Sequence, residues 1–235
     1  MNIVVTGASK GIGFEVVRHL AAAGDHTIVA IARSAEGLQR LKNSCLHENI
    51  KAKVVPAVFD LGILNAIETI LTQEILKHIP HVDILINNAG ALVNKPFDET
   101  SLEDIQNVHA TNYLAPSLLI KSLLPYFNKD AHIVNISSMG GFQGSVKFPG
   151  LSAYSASKGA LAVLTECLAE ELKGRGIHVN CLALGSVNTE MLKSAFPEYN
   201  AEVQPFEMGK FIASFALTGG TMFNGKIIPV SASTP

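Results

Sequence analysis

Tyr154 and Lys158 stand four residues apart in Tyr154-Ser155-Ala156-Ser157-Lys158, at the start of a segment with helical periodicity, so both side chains project from one face. The pair suits proton transfer. A phenol ordinarily titrates at about 10, too high for exchange near neutrality, and an ammonium beside it favours the phenolate. Lys158 is therefore expected to lower the pKa of Tyr154, which would act as acid toward a carbonyl oxygen and as base toward an alcohol. Upstream, the apolar run Ile133-Val134-Asn135-Ile136 ends in Ser137 and Ser138. A serine hydroxyl both donates and accepts, so either could hold an oxygen beside the phenol without ionising.

A second constellation suits phosphate. Thr6-Gly7-Ala8-Ser9-Lys10-Gly11-Ile12-Gly13 follows a strand pattern and opens a helix whose Phe14, Val17 and Leu20 are spaced to face a sheet. Glycines in such a turn permit positive φ and let the backbone approach a pyrophosphate, which the helix N-terminus attracts with free N–H groups and its dipole. The next strand pattern, Ile28-Val29-Ala30-Ile31-Ala32, ends without the carboxylate that would bind a ribose 2′-hydroxyl. Arg33 instead offers a planar guanidinium to a 2′-phosphate, and Lys10 offers a second cation. NADP(H) is the expected cofactor, with NAD(H) second.

These residues need a scaffold to meet. Apolar runs at 2–6, 27–32, 52–58, 83–87, 131–137, 177–184 and 226–230 read as strands, and 12–23, 63–79, 102–127 and 154–173 as helices. Near-continuous apolar strands imply a sheet covered on both faces, and their alternation with helices implies parallel crossovers. The expected fold is α/β: a single doubly wound Rossmann-type domain over 1–235, with a seven-stranded, mostly parallel sheet and helices on both faces. Ligands then bind at the carboxyl ends of the strands. Residues 192–205 lose the pattern around Pro197, Tyr199 and Pro205 and read as a surface lid at about 190–207, before a helix near Met208.

The glycine spacing, followed by Asn87-Asn88-Ala89-Gly90 and Tyr154-Ser155-Ala156-Ser157-Lys158, resembles the short-chain dehydrogenase/reductase family, and the resemblance runs nearly end to end to Asn224-Gly225-Lys226-Ile227-Ile228-Pro229-Val230. It implies a carbonyl reductase or alcohol dehydrogenase with a tetrad of Ser138, Tyr154, Lys158 and Asn112. Ser138, rather than Ser137, would hold the carbonyl oxygen, and Asn112 would help hold a water beside Lys158. The resemblance assigns the cofactor to Gly7, Ser9, Lys10, Gly11, Ile12 and Gly13, to Arg33, and to Asp60 and Leu61 after the third strand. It adds Asn87, Ala89 and Gly90, the catalytic Tyr154 and Lys158, and Gly185, Val187 and Thr189 after the sixth strand. Leu184 stands where the family usually has proline, and the Ser138-to-Tyr154 segment is longer than in many relatives. Family members often pair through the helices that here span 102–127 and 154–173, so a homodimer or homotetramer is expected.

Bulk properties fit a small-molecule enzyme. The 235 residues are 48% hydrophobic and 16% charged, enough for a large core. A net charge of −2 without a basic block gives no footprint for nucleic acid or an anionic membrane. No apolar run approaches the roughly 20 residues of a membrane span, and no export leader precedes the first strand. Cys45, Cys167 and Cys181 are scattered and odd in number, which fits a reducing cytoplasmic compartment better than disulfides or zinc. His78 and His81 lack further ligands, so no metal is expected. Two alternatives compete: a 3-oxoacyl-carrier-protein reductase, which needs a basic rim where the lid offers Lys193, and a non-catalytic NADP(H)-binding sensor or scaffold. Met191, Leu192, Phe196 and Tyr199 in the lid, facing Phe142, Val146, Phe148 and Leu151, suggest uncharged, medium-sized aliphatic or aromatic carbonyl substrates.

Overall fold

Seven strands form in chain order: β1 Asn2–Thr6, β2 Thr27–Ala32, β3 Lys53–Val58, β4 Val82–Asn87, β5 Phe127–Ser138, β6 His178–Leu184 and β7 Ile227–Val230. The computed structural model describes residues 1–49 and 51–231. The strands lie in one sheet ordered β3-β2-β1-β4-β5-β6-β7, and each neighbouring pair is parallel. The helices are α1 Gly11–Ala23, α2 Ala35–Glu48, α3 Thr72–Leu76, α4 Leu102–His109, α5 Ala115–Leu123, α6 Ser152–Glu171, α7 Glu190–Ala195 and α8 Pro205–Thr218.

Strand alternation explains why the runs are apolar throughout. Ile3 and Val5 point to one face, into a core with Val16, Val17 and Leu20 of α1, Leu38 and Leu41 of α2 and Ile212 of α8. Val4 points to the other, against Leu71, Ile75, Leu119 and Leu172. Full burial of each such side chain stabilises the fold by about 1.5–3 kcal/mol, so both faces must be covered. The order reverses between β1 and β4, which opens a crevice at the carboxyl ends of those strands.

Three segments differ from the periodic reading. Residues 102–127 are not one helix: a π-helical turn at Ala110–Leu114 separates α4 from α5, a 3-10 turn follows at Leu124–Tyr126, and β5 already begins at Phe127. Residues 63–79 break into a 3-10 turn at Leu64–Ala66, a π-helical turn at Ile67–Leu71 and the short α3. The helix α2 is the crossover that the parallel pairing of β2 and β3 requires, and the lid contains a helix of its own, α7. The last helix starts at Pro205, whose fixed φ suits a first helical position, with Gln204 and Glu207 forming a capping box.

Candidate active site

Ser138 ends β5, and the period-two alternation of the strand separates it from Ser137. Ser137 is buried and donates to the Lys158 carbonyl at 2.9 Å, so it ties β5 to α6. Ser138 is turned to the open edge, where its Oγ accepts from Gly140 N at 3.1 Å and its hydroxyl is near enough to the Tyr154 phenol to favour the phenolate. Tyr154 and Lys158 share one face of α6, with Lys158 Nζ 6.0 Å from the centre of the Tyr154 ring. Lys158 is only 4% exposed and donates to the Ile136 carbonyl at 2.7 Å. Burial pushes its ammonium down to about 8, against an opposing pull from Cys181, so it can exchange a proton near neutrality. The phenol behaves differently from the sequence expectation. Burial raises the Tyr154 pKa and Ser138 pulls it down, while the Lys158 ammonium donates to the Ile136 carbonyl.

Asn112 lies in the π-helical turn and is fully buried. Its amide donates to the Ala91 carbonyl and to Ser157 Oγ, both at 2.9 Å, while its Oδ1 accepts from Ala91 N at 2.7 Å. Gly90 lies between these groups: a Cβ there would be in ordinary contact with Asn112 Oδ1 at 3.4 Å and Lys158 Nζ at 3.6 Å. Four side chains from β5, α6 and the π-helical turn therefore converge beside the β4 loop.

The glycine turn is fastened to that same loop. Thr6 Oγ1 accepts from the backbone N–H groups of Asn88 and Ala89 at 3.0 Å each, and Asn88 Nδ2 donates to the Thr6 carbonyl at 2.9 Å. Gly7 has φ +69, and a Cβ on it would lie 2.8 Å from Ala89 Cα, so no side chain fits between turn and loop. A Cβ on Gly13 would collide with the Gly7 carbonyl. Neither Thr6 nor Asn88 was named from the sequence as a site residue, although both lie inside the quoted motifs. Asn87 is placed differently from its neighbours: its amide donates to Asn135 Oδ1 at 2.8 Å and its own Oδ1 is buried without a partner.

A nicotinamide dinucleotide fits this cradle. At the N-terminus of α1, Lys10 makes no side-chain cap and the first turn holds no acidic residue, so the leading N–H groups are open to a pyrophosphate. By contrast α2, α4 and α7 are capped by Ser34, Ser101 and Thr189. Ser9 and Ile12 belong to the same turn. Arg33 follows β2 directly, is exposed, and has no ion-pair partner among the described residues. Asp60 and Leu61 come two residues after β3, with Asp60 Oδ1 accepting from Gly62 N at 2.9 Å. Beyond β6, Gly185 N donates to the Val230 carbonyl, Val187 is buried, and Thr189 lies against Gly11, 3.7 Å from where a Cβ would be. Leu184, in place of proline, keeps a backbone N–H and pairs with both Ser138 and Val230 as the last residue of β6.

Lys10 is not the free cation the sequence suggested. Its Nζ pairs at 2.5 Å with Glu190, the first residue of α7. At the other end of α7, Asn94 Nδ2 donates to the Ala195 carbonyl at 2.8 Å, and Tyr199 OH lies 3.0 Å from Ser186 Oγ. The lid is thus strapped from the glycine turn to the loop after β4. Phe142, Phe148 and Leu151 line a cavity of about 660 Å³, but its opposite wall is Pro96 and Phe97 rather than the lid aromatics, because Gly150 packs on Asn94. Among the described residues, no cluster of three His, Cys, Asp or Glu could hold a metal ion.

Comparison with known proteins agrees with this geometry. Residues 1–200 match the family described as short chain dehydrogenase. The chain is 35% identical over 193 residues to a fatty acyl-CoA reductase of Acinetobacter baylyi, covering 80% of this chain and 63% of that protein. A dehydrogenase/reductase from Sinorhizobium meliloti 1021 superposes with a TM-score of 0.87 at 30% identity, covering 97% of this chain and 92% of the other. A short chain dehydrogenase from Burkholderia cenocepacia J2315, solved in complex with NADP, gives a TM-score of 0.88 at 25% identity, covering 99% and 96%. The chain spans 60–63% of the length of the first curated relatives it matches.

Proposed function

The chain belongs to the short-chain dehydrogenase family, and we propose that it is an NADPH-dependent reductase of ketones or aldehydes, or the dehydrogenase of the corresponding alcohols. The observation that carries this reading is the meeting of Ser138, at the open end of β5, with Tyr154 and the buried Lys158 on one face of α6, Lys158 Nζ lying 6.0 Å from the Tyr154 ring centre at the carboxyl edge of the sheet. Bound nicotinamide supplies or accepts the hydride. Ser138 donates to the substrate oxygen, and Tyr154 gives that oxygen its proton. The raised Tyr154 pKa keeps the phenol protonated, which suits the acid role in reduction. Lys158 replaces the proton on Tyr154, and the buried Asn112 positions the β4 loop against Lys158. Arg33 and Lys10 serve the 2′-phosphate, while the α1 N-terminus serves the pyrophosphate; Asp60, Leu61, Asn87, Ala89, Gly90, Gly185, Val187 and Thr189 line the rest of the nucleotide.

The substrate is an uncharged carbonyl compound with an apolar body. Support comes from the cavity walled by Phe97, Phe142, Phe148 and Leu151 next to the Ser138 loop, where burial is worth about 25 cal/mol per Å². Lys147, which also lines the cavity, spends its ammonium on the Phe142 carbonyl and Ser145 Oγ, each at 2.6 Å. The name of the Acinetobacter relative, a fatty acyl-CoA reductase, agrees with a carbonyl carrying an apolar chain. Residues 1–235 act as one catalytic domain with a lid at 190–207, and the enzyme works as a homodimer or homotetramer in the cytoplasm. Among the described residues no helix is long and apolar enough to cross a membrane.

The test is NADPH consumption by wild type and Tyr154→Phe against ketones, aldehydes, quinones and acyl thioesters. Wild type should turn over ketones or aldehydes, and Tyr154→Phe should lower kcat at least about a hundredfold while still binding NADPH. Binding without turnover across the panel would refute the enzyme, and a fully active Tyr154→Phe would refute the proton donor.

A further inference from the structure

Lys10 and Glu190 are 180 residues apart in sequence, yet they form the one ion pair that joins the glycine turn to the lid among the described residues. Both side chains are largely exposed, 68% and 74%, so the pair meets the solvent on its open side. Lys10 is the residue before α1, with an extended backbone and a side chain that does not cap the helix. Glu190 is held at the start of α7 by the Thr189 cap, with Thr189 itself against Gly11. The other cation acting on Glu190 is Arg40, whose own partner is Glu36.

The first turn of α2 packs on the glycine turn as well. A Cβ on Gly37 would come within 2.7 Å of Ser9 Cβ, which brings the end of β2, with Arg33, beside Ser9 and Lys10. A 2′-phosphate reaching Arg33 therefore arrives where Lys10 is already paired with a carboxylate. The phosphate carries close to two negative charges and Glu190 carries one, so the two anions cannot both keep Lys10 without repelling each other.

We propose that Glu190 is a specificity-determining residue that competes with the cofactor 2′-phosphate for Lys10, lowering affinity for NADPH relative to NADH and releasing the lid from the glycine turn when the phosphate wins. The proposal rests on the reading that Lys10 meets the 2′-phosphate. NADH has no such phosphate and leaves the strap untouched.

The test measures NADPH and NADH dissociation constants by nucleotide fluorescence for wild type, Glu190→Gln, Lys10→Met and the double variant. Glu190→Gln should tighten NADPH by about threefold or more at low salt and move NADH less than about twofold, the range an exposed ion pair can supply. Added salt should shrink the gain. In the Lys10→Met background the Glu190 substitution should have no effect. Unchanged NADPH affinity in Glu190→Gln, equal tightening of both cofactors, or a gain that persists without Lys10 would each overturn the competition. If Lys10→Met binds NADPH as tightly as wild type, the phosphate role of Lys10 is what has failed, and the competition falls with it.

Discussion

Arg33 is the residue on which the proposed preference for NADPH rests. It follows β2 with its guanidinium exposed and unpaired among the described residues, whereas Lys10 is shared with Glu190. A planar guanidinium meets a phosphate through two parallel hydrogen bonds, and a charge-assisted contact of that kind contributes about 1.5–3 kcal/mol. Arg33→Asp should therefore weaken NADPH binding by at least about tenfold and leave NADH binding equal or improved, since a carboxylate at this place suits a 2′-hydroxyl. Calorimetric titration of both cofactors into the variant decides it, and unchanged NADPH affinity would remove Arg33 from the site. At this scale much of the site could be read from the sequence, because Tyr154, Lys158 and the glycines carry their chemistry in their type and spacing. The order of the two serines could not: residue type is the same, and only the resemblance favoured Ser138. Strand alternation favours Ser138, by sending the Ser137 hydroxyl to the Lys158 carbonyl and leaving Ser138 at the edge.

His132 shows how elements are joined behind the site. It lies in β5, its Nδ1 bonds the Ala216 carbonyl of α8 at 3.0 Å, and its Nε2 faces Asn180 Nδ2 of β6 at 3.0 Å. With Nδ1 as donor and Nε2 as acceptor, the neutral ring satisfies both neighbours. Burial pushes its pKa down to about 4, the charge of His178 adds to this, and the Ala216 carbonyl opposes it. The folded value is lower than the unfolded value of about 6.5, so the stabilisation is fully present above that pH and is lost as pH falls toward 4. Urea unfolding should show stability falling between pH 6.5 and 4.5 at up to about 1.4 kcal/mol per unit from this group, and His132→Gln should flatten the slope. Equal slopes in the two proteins would contradict the assignment. Element identity was legible where burial is one-sided or complete and the period constant, as in β1, β2 and α1. It was lost where the period changes. The π-helical turn shifts the phase between α4 and α5, and that shift is what turns Asn112 inward to Ala91 and Ser157. In α2 the buried apolar side chains are Leu38, Leu41 and Cys45, too few among polar neighbours to stand out, and Ser34 as cap is the better signal.

At the scale of the whole molecule, the surface carries more apolar area than one copy of the chain can use. Leu102 is 69% exposed, Leu114 40% and Val163 58%, on α4, the π-helical turn and α6. A second group, Phe206, Phe211, Met222 and Phe223, lies exposed on and after α8. Isolated exposed hydrophobes need no explanation, but two groups on separate faces would cost solubility unless another copy covers them. A face repeated on each copy pairs with itself about a two-fold axis, so one covered face gives a dimer and two give a tetramer. The same helix α6 carries Tyr154 and Lys158 on a different face. Light scattering at micromolar concentration should therefore return two or four times the 25.0 kDa of the chain. Val163→Glu puts a charge at the middle of the α6 face, at a side chain 58% exposed in the single chain, and should lower the mass while leaving the fold intact by circular dichroism. A wild-type mass of one chain would show that these faces meet solvent alone, and an unchanged oligomer in Val163→Glu would shift the contact to the α8 face.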